Sequence, residues 1–475
     1  MTDIRAARDE QPPELLAVGF GTSGLVLDGV AAWVLRPAGR APLETFAAQN
    51  EPSAKPGDIA SLPLPGLRPN RILIAGLGDG RAADLRLAGA AIARTARGSS
   101  DVTVTVAIPT VWGEALAEGL VLGGYRFDAR PAPRSVVHAR LVGVDDSAAI
   151  ARGVAYGQGT TWARELANTR TSVKTPSWTG DQAAAELSPL GVRVVTRDAA
   201  WLAQQRFGGV LAVGRGSSSP PCLVEASWRP RGASAHLVLV GKGVTFDTGG
   251  YNLKPGASMK TMYTDMAGGA ATLGALRTIA TLRVPVRVTV LVPLAENSVS
   301  GSAMRPGDVI RHYGGRTSEV VNTDAEGRLV VADALAYAAA RLRPDAMVDI
   351  ATLTGGIKVA LGLHTAGLFT PSDDLATSLL AAGEATGEPL WRMPMLDEYL
   401  GLLDSDIADA LNSPGSPQAT TAAMFLRPFA GDVPWAHMDI AGTARASADD
   451  GLVSAGATGF GARLLARWVE GYAVG

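Results

Sequence analysis

The segment Val321–Val331, with the sequence VNTDAEGRLVV, places two acids and a cation close together. Asp324 and Glu326 are two residues apart, so both side chains would point to the same side of an extended segment. Arg328 follows after a glycine, which lets the backbone turn or approach a ligand closely. Such a cluster costs desolvation energy unless a positive charge lies within it, and a metal ion is the usual one. Taken alone, however, the segment is more typical of a surface turn.

Further charged residues follow the predicted strand His236–Val240, and they change this interpretation. They are two lysines and two aspartates, namely Lys242, Asp247, Lys254 and Asp265. In open α/β sheets, ligands bind where strands end. Oxygen ligands suit Mn²⁺, Zn²⁺ or Mg²⁺. Because four acids exceed the need of one ion, the pattern predicts two ions sharing a carboxylate, an arrangement used in hydrolysis. The histidines are scattered and form no H-E-x-x-H motif, so a single histidine-bound zinc ion is not predicted.

The elements that must position these residues form an α/β pattern. Short apolar runs alternate with segments of helical periodicity, which predicts layers of helices on sheets. We predict a smaller N-terminal α/β domain over 1–144 and a connecting helix over 145–170. A C-terminal catalytic domain over 171–475 would have a mixed central sheet flanked by helices. Within it, a helix over Ala332–Arg341 is expected after the segment that carries Asp324.

Composition limits the function classes. The chain has 475 residues, more than one hydrophobic core usually holds. A net charge of −2 gives no basic field for nucleic acid or for an anionic membrane. Cys222 is the only cysteine, which excludes an intramolecular disulfide and a thiolate metal cluster. No signal-peptide pattern and no apolar run long enough to span a membrane is found, so a cytoplasmic location is expected.

Two other functions are compatible with parts of the sequence. The stretch Phe246–Gly249, FDTG, is also the motif of aspartic proteases, which need two such aspartates. Because no second motif occurs, that reading requires a dimer sharing one site. A non-catalytic role in binding DNA or another ligand is the second alternative, and the near-neutral charge argues against it.

Several motifs together resemble the leucyl (cytosol) aminopeptidase family of two-metal exopeptidases, and the resemblance covers most of the chain. The motifs that carry it are GKGVTFDTGG, the spaced Lys254, DMAGGAA, NTDAEGRL, DIATLTGG and WAHMDIAGTA. NTDAEGRL is the most specific of them. The resemblance implies removal of N-terminal residues from peptides by attack of a metal-activated water on the first peptide bond.

The resemblance also implies a role for each site residue. Asp247 and Glu326 would be shared between the two ions, Asp324 would bind one ion, and Lys242 with Asp265 would bind the other. A lysine ligand must be a neutral amine, so a lowered pKa is expected for Lys242. Lys254 would stabilise the tetrahedral intermediate, and Arg328 would hold a bicarbonate ion that serves as general base.

Substrate and assembly follow from the same resemblance. The substrates would be peptides with a free N-terminus, and the subunits would form a homohexamer. The predicted pocket for the first side chain is apolar and suited to leucine or methionine. Its residues would be Met262, Asn322, Ala325, Leu353 and Thr354.

Overall fold

The structure, a computed structural model, divides into two compact α/β units. It describes residues 3–6, 13, 15–27, 39–97, 103–107, 112–127, 138–142, 146–233 and 235–473. One unit comprises 1–161 with 448–455, and the other comprises 162–447 with 456–475. The predicted organisation of two α/β domains is confirmed. The predicted boundary between 144 and 145 lies outside the described residues, and the division between the units falls within one helix, Ser147–Asn168 (α4).

The described part of the N-terminal unit is a sheet with helices on both faces. Its strands run in the order β1-β7-β6-β2-β5-β4, with β3 paired to β2. They are Asp3–Ala6 (β1), Leu15–Gly21 (β2), Gly24–Val26 (β3), Ile59–Pro63 (β4), Arg71–Gly76 (β5), Thr103–Ala107 (β6) and His138–Val142 (β7). The helices preceding α4 are Ala41–Asn50 (α1), Ala82–Ala96 (α2) and Gly113–Gly124 (α3). Residues on one face of β2 and β5 pack against α2 and α3, and residues on the other face pack against α1. This follows because successive side chains of a strand point to opposite faces of the sheet.

The C-terminal unit is built on a mixed sheet in the order β17-β16-β18-β15-β10-β12-β9-β8, with β11 paired to β12. The strands of this sheet are Arg193–Arg197 (β8), Cys222–Trp228 (β9), His236–Gly241 (β10), Gly243–Asp247 (β11), Arg287–Asn297 (β12), Ala346–Ala351 (β15), Ala366–Phe369 (β16), Leu390–Arg392 (β17) and Trp435–Asp439 (β18). Two small ribbons are Val309–Arg311 (β13) with Thr317–Glu319 (β14), and Arg445–Ala446 (β19) with Gly456–Ala457 (β20).

Helices cover this mixed sheet. The α-helices are Pro176–Leu187 (α5), Ala199–Gln205 (α6), Gly208–Gly214 (α7), Gly256–Met259 (α8), Ala267–Thr281 (α9), Gly327–Tyr337 (α10), Gly355–Leu361 (α11), Asp373–Thr386 (α12), Gln418–Leu426 (α13) and Ala462–Gly471 (α14). Shorter 3₁₀ segments are Ser188–Leu190, Met262–Thr264, Asp397–Leu403 and Arg427–Ala430, and Ala338–Leu342 is π-helical. No helix in the described ranges is both long and apolar enough to cross a membrane.

The centre of the mixed sheet is parallel, and its strands end at one edge. Strand β10 pairs in parallel with β12 on one side and with β15 on the other, and β15 pairs in parallel with β18. Leu237, Val238, Leu239 and Val240 are fully buried, as expected for a strand covered on both faces. The residues that follow these strands therefore meet at their common carboxyl edge.

The segment Val321–Val331 is not extended, so the condition under which Asp324 and Glu326 would share one side of a strand is not met. The chain turns at Thr323 and Asp324, and α10 begins at Gly327. The helix predicted over Ala332–Arg341 therefore starts earlier, and after Tyr337 it continues as the π-helical segment Ala338–Leu342. Tertiary packing decides the conformation, because Leu329, Val330 and Val331 are all buried in the hydrophobic core.

Helix α9 approaches the strand edge so closely that it needs a glycine. A Cβ atom on Gly268 would lie 2.1 Å from the carbonyl oxygen of Ile350 in β15. No rotation of a side chain can relieve a contact with backbone, so α9 or β15 would have to shift.

We expect Gly268→Ala to lower the free energy of unfolding of the C-terminal unit by about 1–3 kcal/mol because of this overpacking. The measurement is urea denaturation followed by tryptophan fluorescence. Gly256→Ala is the matched control, since a Cβ there meets nothing within 4 Å, and it is expected to change stability by less than about 0.5 kcal/mol. Equal effects of the two substitutions would contradict the close approach.

Candidate metal centre

All predicted site residues lie around one cavity of about 340 Å³ in the C-terminal unit. Lys242 directly follows β10, Asp247 ends β11, and Asp265 follows the 3₁₀ turn Met262–Thr264. Asp324 and Glu326 come from the turn before α10. The predicted residues that line the cavity are Lys242, Asp247, Lys254, Met262, Asp265, Asn322, Asp324, Ala325, Glu326, Arg328, Leu353 and Thr354.

Three buried carboxylates form the centre of this cavity. One oxygen each of Asp247, Asp265 and Glu326 lies within 4.8 Å of the others. Burial and the negative charges of Glu326 and Asp265 raise the pKa of Asp247 well above its usual range. Burial likewise raises the pKa of Asp265 to about 6, and the charge of Lys242 only partly offsets this effect. The arrangement therefore favours positive charge between the carboxylates.

Lys242 provides part of that charge. Its Nζ lies 2.8 Å from a carboxylate oxygen of Asp265 and 2.8 Å from Oε1 of Glu326, and it donates a hydrogen bond of 3.0 Å to the carbonyl oxygen of Thr352. The sequence predicted a lowered pKa for a metal-bound lysine, whereas the protein's own side chains, without a metal ion, raise the pKa of Lys242. Burial disfavours the ammonium form, but the charges of Asp265, Glu326 and Asp247 outweigh burial and raise the pKa. Divalent cations beside these acids would act in the opposite direction.

Lys254 joins the fourth carboxylate to the other three. Its Nζ lies 2.8 Å from Oδ2 of Asp247 and also contacts Oδ1 of Asp324. Asp324 is only partly buried, and it lies outside the tight group of three acids. Burial and the charge of Glu326 raise its pKa, whereas Lys254 lowers it.

The donor atoms fit divalent metal ions. Oε2 of Glu326 is buried and has no hydrogen-bond partner, so this oxygen can bind a cation without losing a contact. Carboxylate oxygens with one amine nitrogen are ligands for Mn²⁺, Zn²⁺ or Mg²⁺. The residues able to hold such ions are Lys242, Asp247, Asp265, Asp324 and Glu326.

Arg328 is the buried cation on the first turn of α10. Its Nη1 donates a hydrogen bond of 2.7 Å to the carbonyl oxygen of Asn412, while its buried Nε has no partner. Burial lowers the pKa of this guanidinium to about 10, although Glu326 and Asp439 favour the charged form. A buried guanidinium with a free donor at a cavity wall is suited to an anion.

Asn412 holds the acidic turn in place, a role that the sequence did not reveal. This residue is fully buried, and its Oδ1 accepts hydrogen bonds from the backbone N–H groups of Val321 (2.9 Å) and Asn322 (3.2 Å). Its Nδ2 donates to the carbonyl oxygen of Asn322 at 2.7 Å, and its own carbonyl oxygen accepts from Arg328. Asn412 lies in an irregular segment far along the chain, so no local pattern marked it.

The acidic turn is also tied to the loop that follows β11. Thr323 Oγ1 donates to the carbonyl oxygen of Gly249 at 2.6 Å and accepts from the backbone N–H of Asn252 at 2.8 Å. These contacts connect the segment of Asp324 and Glu326 to the segment of Asp247 and Lys254. The two segments that carry the acidic cluster are therefore joined directly by hydrogen bonds.

Asp439, at the end of β18, is a second residue that sequence reasoning missed. Its Oδ2 accepts a hydrogen bond of 2.6 Å from Thr354 Oγ1, and its Oδ1 accepts one of 3.1 Å from the backbone N–H of Leu353. It thus positions two of the predicted substrate-pocket residues. The motif WAHMDIAGTA, which contains this carboxylate, was the available signal.

Comparison with known proteins first defines the class of this protein. Residues 161–466 match the catalytic domain of the cytosol aminopeptidase family, and residues 9–130 match the N-terminal domain of that family. The fold and these matches define a peptidase, a hydrolase of a metal-dependent family. The chain belongs to the cytosol aminopeptidase family.

Individual relatives agree with this assignment. The chain is 41% identical over 443 residues to a probable cytosol aminopeptidase 1 of Shewanella oneidensis, covering 90% of this chain and 88% of the relative. Among solved structures, it is similar to the bottromycin maturation enzyme BotP in complex with Mn, with a TM-score of 0.88 and 35% identity, covering 97% of this chain and 100% of BotP. The chain is also similar to a mutant of tomato leucine aminopeptidase, with a TM-score of 0.84 and 32% identity. This similarity covers 99% of this chain and 96% of the tomato protein.

The aspartic-protease alternative loses its basis here. Asp247 of the FDTG motif contacts Lys254 and lies among Asp265 and Glu326 of the same chain. Membership of the cytosol aminopeptidase family accounts for the motif without a second copy of it.

Asn412→Ala is expected to loosen the acidic turn, because it leaves the N–H groups of Val321 and Asn322 without their acceptor. We expect amide hydrogen exchange in a peptide covering 319–329 to become faster by at least about tenfold. Asn50→Ala is the control, since Asn50 makes an exposed contact with the carbonyl oxygen of Phe46, and it is expected to leave that peptide unchanged. Unaltered exchange in Asn412→Ala would contradict the positioning role.

Proposed function

We propose that this protein is a two-metal aminopeptidase that releases N-terminal leucine and other mainly apolar residues from peptides. The observation that carries the proposal is the group of three buried carboxylates within 4.8 Å, bordered by Lys242 and Lys254 in one cavity. Membership of the cytosol aminopeptidase family supports the reaction class. Residues 171–475 would form the catalytic domain, joined by the helix over 145–170 to a supporting domain over 1–144.

Five residues would bind the ions. Asp247 and Glu326 would bridge them, Asp324 would complete one site, and Lys242 with Asp265 would complete the other. Two bound divalent ions polarise a peptide carbonyl and lower the pKa of a water molecule. BotP, a structural neighbour, is described in complex with Mn, and Mn²⁺ or Zn²⁺ is the expected occupant here, with Mg²⁺ a third option.

Lys254 would stabilise the charge that develops on the substrate, and Arg328 would hold the base that accepts the proton from water. Lys254 Nζ faces the cavity beside Asp247 and Asp324, where its ammonium can donate to the substrate carbonyl oxygen as negative charge develops. Asp265 would accept a hydrogen bond from the free α-amine of the substrate, which restricts cleavage to the first residue. Arg328 would hold bicarbonate, which supplies a general base where the protein's acids are committed to metal.

An apolar pocket would select the first side chain. Met262, Leu353 and Ala325 offer apolar contact, whereas Asn322 and Thr354 border the same cavity. A methionine side chain adapts to different shapes, which favours broad specificity for apolar residues. By the names of its relatives we place the enzyme in the cytosol, and we expect a homohexamer.

The first test uses the intact protein with Mn²⁺ or Zn²⁺ and leucine p-nitroanilide or leucine amide. We expect release of the N-terminal leucine, complete loss after incubation with a strong chelator, and recovery on adding metal back. Metal content measured in parallel is expected to approach two ions per chain. Absence of hydrolysis with metal present, or hydrolysis indifferent to the chelator, would refute the proposal.

The second test separates metal binding from proton transfer. Glu326→Ala removes the proposed bridging ligand and is expected to lower both metal content and kcat/KM, the latter by more than about 100-fold. Arg328→Ala is expected to keep the metal content and to lower kcat by about 100-fold, because water can still accept the proton slowly. Complete loss of activity in Arg328→Ala with metals intact would count against a bicarbonate base.

A further inference from the structure

We propose that Lys358 and Arg445 form an anion subsite in the same cavity, and that this subsite binds the C-terminal carboxylate of dipeptide substrates. The proposal rests on the aminopeptidase function above. It assigns a substrate class, dipeptides with a free carboxylate, that the metal centre by itself does not select.

Both cations lie on the wall of the cavity that contains the acidic cluster. Lys358 projects from α11, and Arg445 lies on β19. Within the described ranges, no carboxylate forms an ion pair with either side chain, and both side chains are exposed. Their charges are therefore available to a ligand.

The two cations are close enough to influence each other. Although Lys358 remains exposed as a residue, partial burial of its ammonium group lowers the pKa, and the charge of Arg445 lowers it further, while Asp439 and Asp265 act in the opposite direction. Asp439 favours the charged form of Lys358 from a distance, while its oxygens accept hydrogen bonds from Leu353 and Thr354. Two like charges beside one cavity are stabilised by an anion between them.

The cavity thus has two regions of opposite chemistry. Asp247, Asp265 and Glu326 form the acidic region, whereas Lys358 and Arg445 form a basic region. A dipeptide in solution carries an ammonium group at one end and a carboxylate at the other, about 7 Å apart along an extended chain. With its α-amine at Asp265 and the bound ions, as proposed above, a dipeptide would place its carboxylate at the two cations. The basic region is therefore electrostatically complementary to the C-terminal carboxylate of a dipeptide.

The test compares leucyl-glycine with leucyl-glycinamide, which differ only in the terminal charge. For the metal-loaded enzyme we expect kcat/KM to favour leucyl-glycine by about tenfold, mainly through KM, as for one charge-assisted contact. The ratio is expected to fall to about one in the double variant Lys358→Met/Arg445→Met and to be largely kept in Lys358→Arg. Added salt is expected to reduce the ratio because both cations are exposed.

Arg231→Met is the matched control. Arg231 precedes β10, at the opposite edge of the sheet from the cavity, so the substitution removes one positive charge without touching the subsite. It is expected to leave the ratio at its original value. Equal rates on both substrates in the unmodified enzyme, or an unchanged preference in the double variant, would overturn the subsite while leaving the aminopeptidase proposal intact. Failure to hydrolyse either substrate would instead overturn the proposed function.

Discussion

Mutual repulsion among buried carboxylates is the constraint on which the C-terminal unit depends. Asp247, Asp265 and Glu326 are almost wholly removed from water, yet their oxygens lie within 4.8 Å. Burial of this kind is unfavourable unless cations and hydrogen-bond donors compensate for it. The protein supplies both, because Lys242 and Lys254 contact the acids while Asn297 Nδ2 and the N–H of Gly249 donate to Asp247. The remaining excess of negative charge supports the proposed binding of metal ions.

Such a cluster requires a rigid support, and the parallel centre of the sheet provides it. Strands β10, β15 and β18 end together, and each delivers a polar residue to that edge. Helix α9 can come close only because Gly268 lacks a side chain. Behind the charged residues, Asn412 orients the backbone of the acidic turn. Asp439 accepts from the backbone of Leu353 and from the hydroxyl group of Thr354, two of the predicted pocket residues. Precision at the site thus comes from residues that do not reach the ligand.

The sequence was sufficient to predict the class of fold and the residues that surround the cavity, because strand ends, residue types and motif spacing are local properties. It failed where tertiary packing decides the conformation. The run Leu329, Val330, Val331 has the composition of a strand, but burial against the core and the turn held by Asn412 make it the start of a helix. The raised pKa of Lys242 in the absence of metal depends on how closely three acids approach one ammonium group, whereas the lowered pKa expected for a metal-bound lysine stays a prediction. The links of Asn412 and Asp439 to the site cross long stretches of chain, and no single segment encodes them.

The dependence of the acidic turn on Asn412 has a consequence for the order of folding. Asn412 follows Asn322 by 90 residues in the chain, so their contact forms only after a long loop has closed. Closing such a loop is entropically unfavourable and must be driven by packing elsewhere in the unit. In a nascent or truncated chain, the motif VNTDAEGRL would contain both acids, but they would not be held in the positions that they have in the folded unit. If the acids bind metal as proposed, the site is complete only once the parts of the C-terminal unit that carry Asn322 and Asn412 have come together.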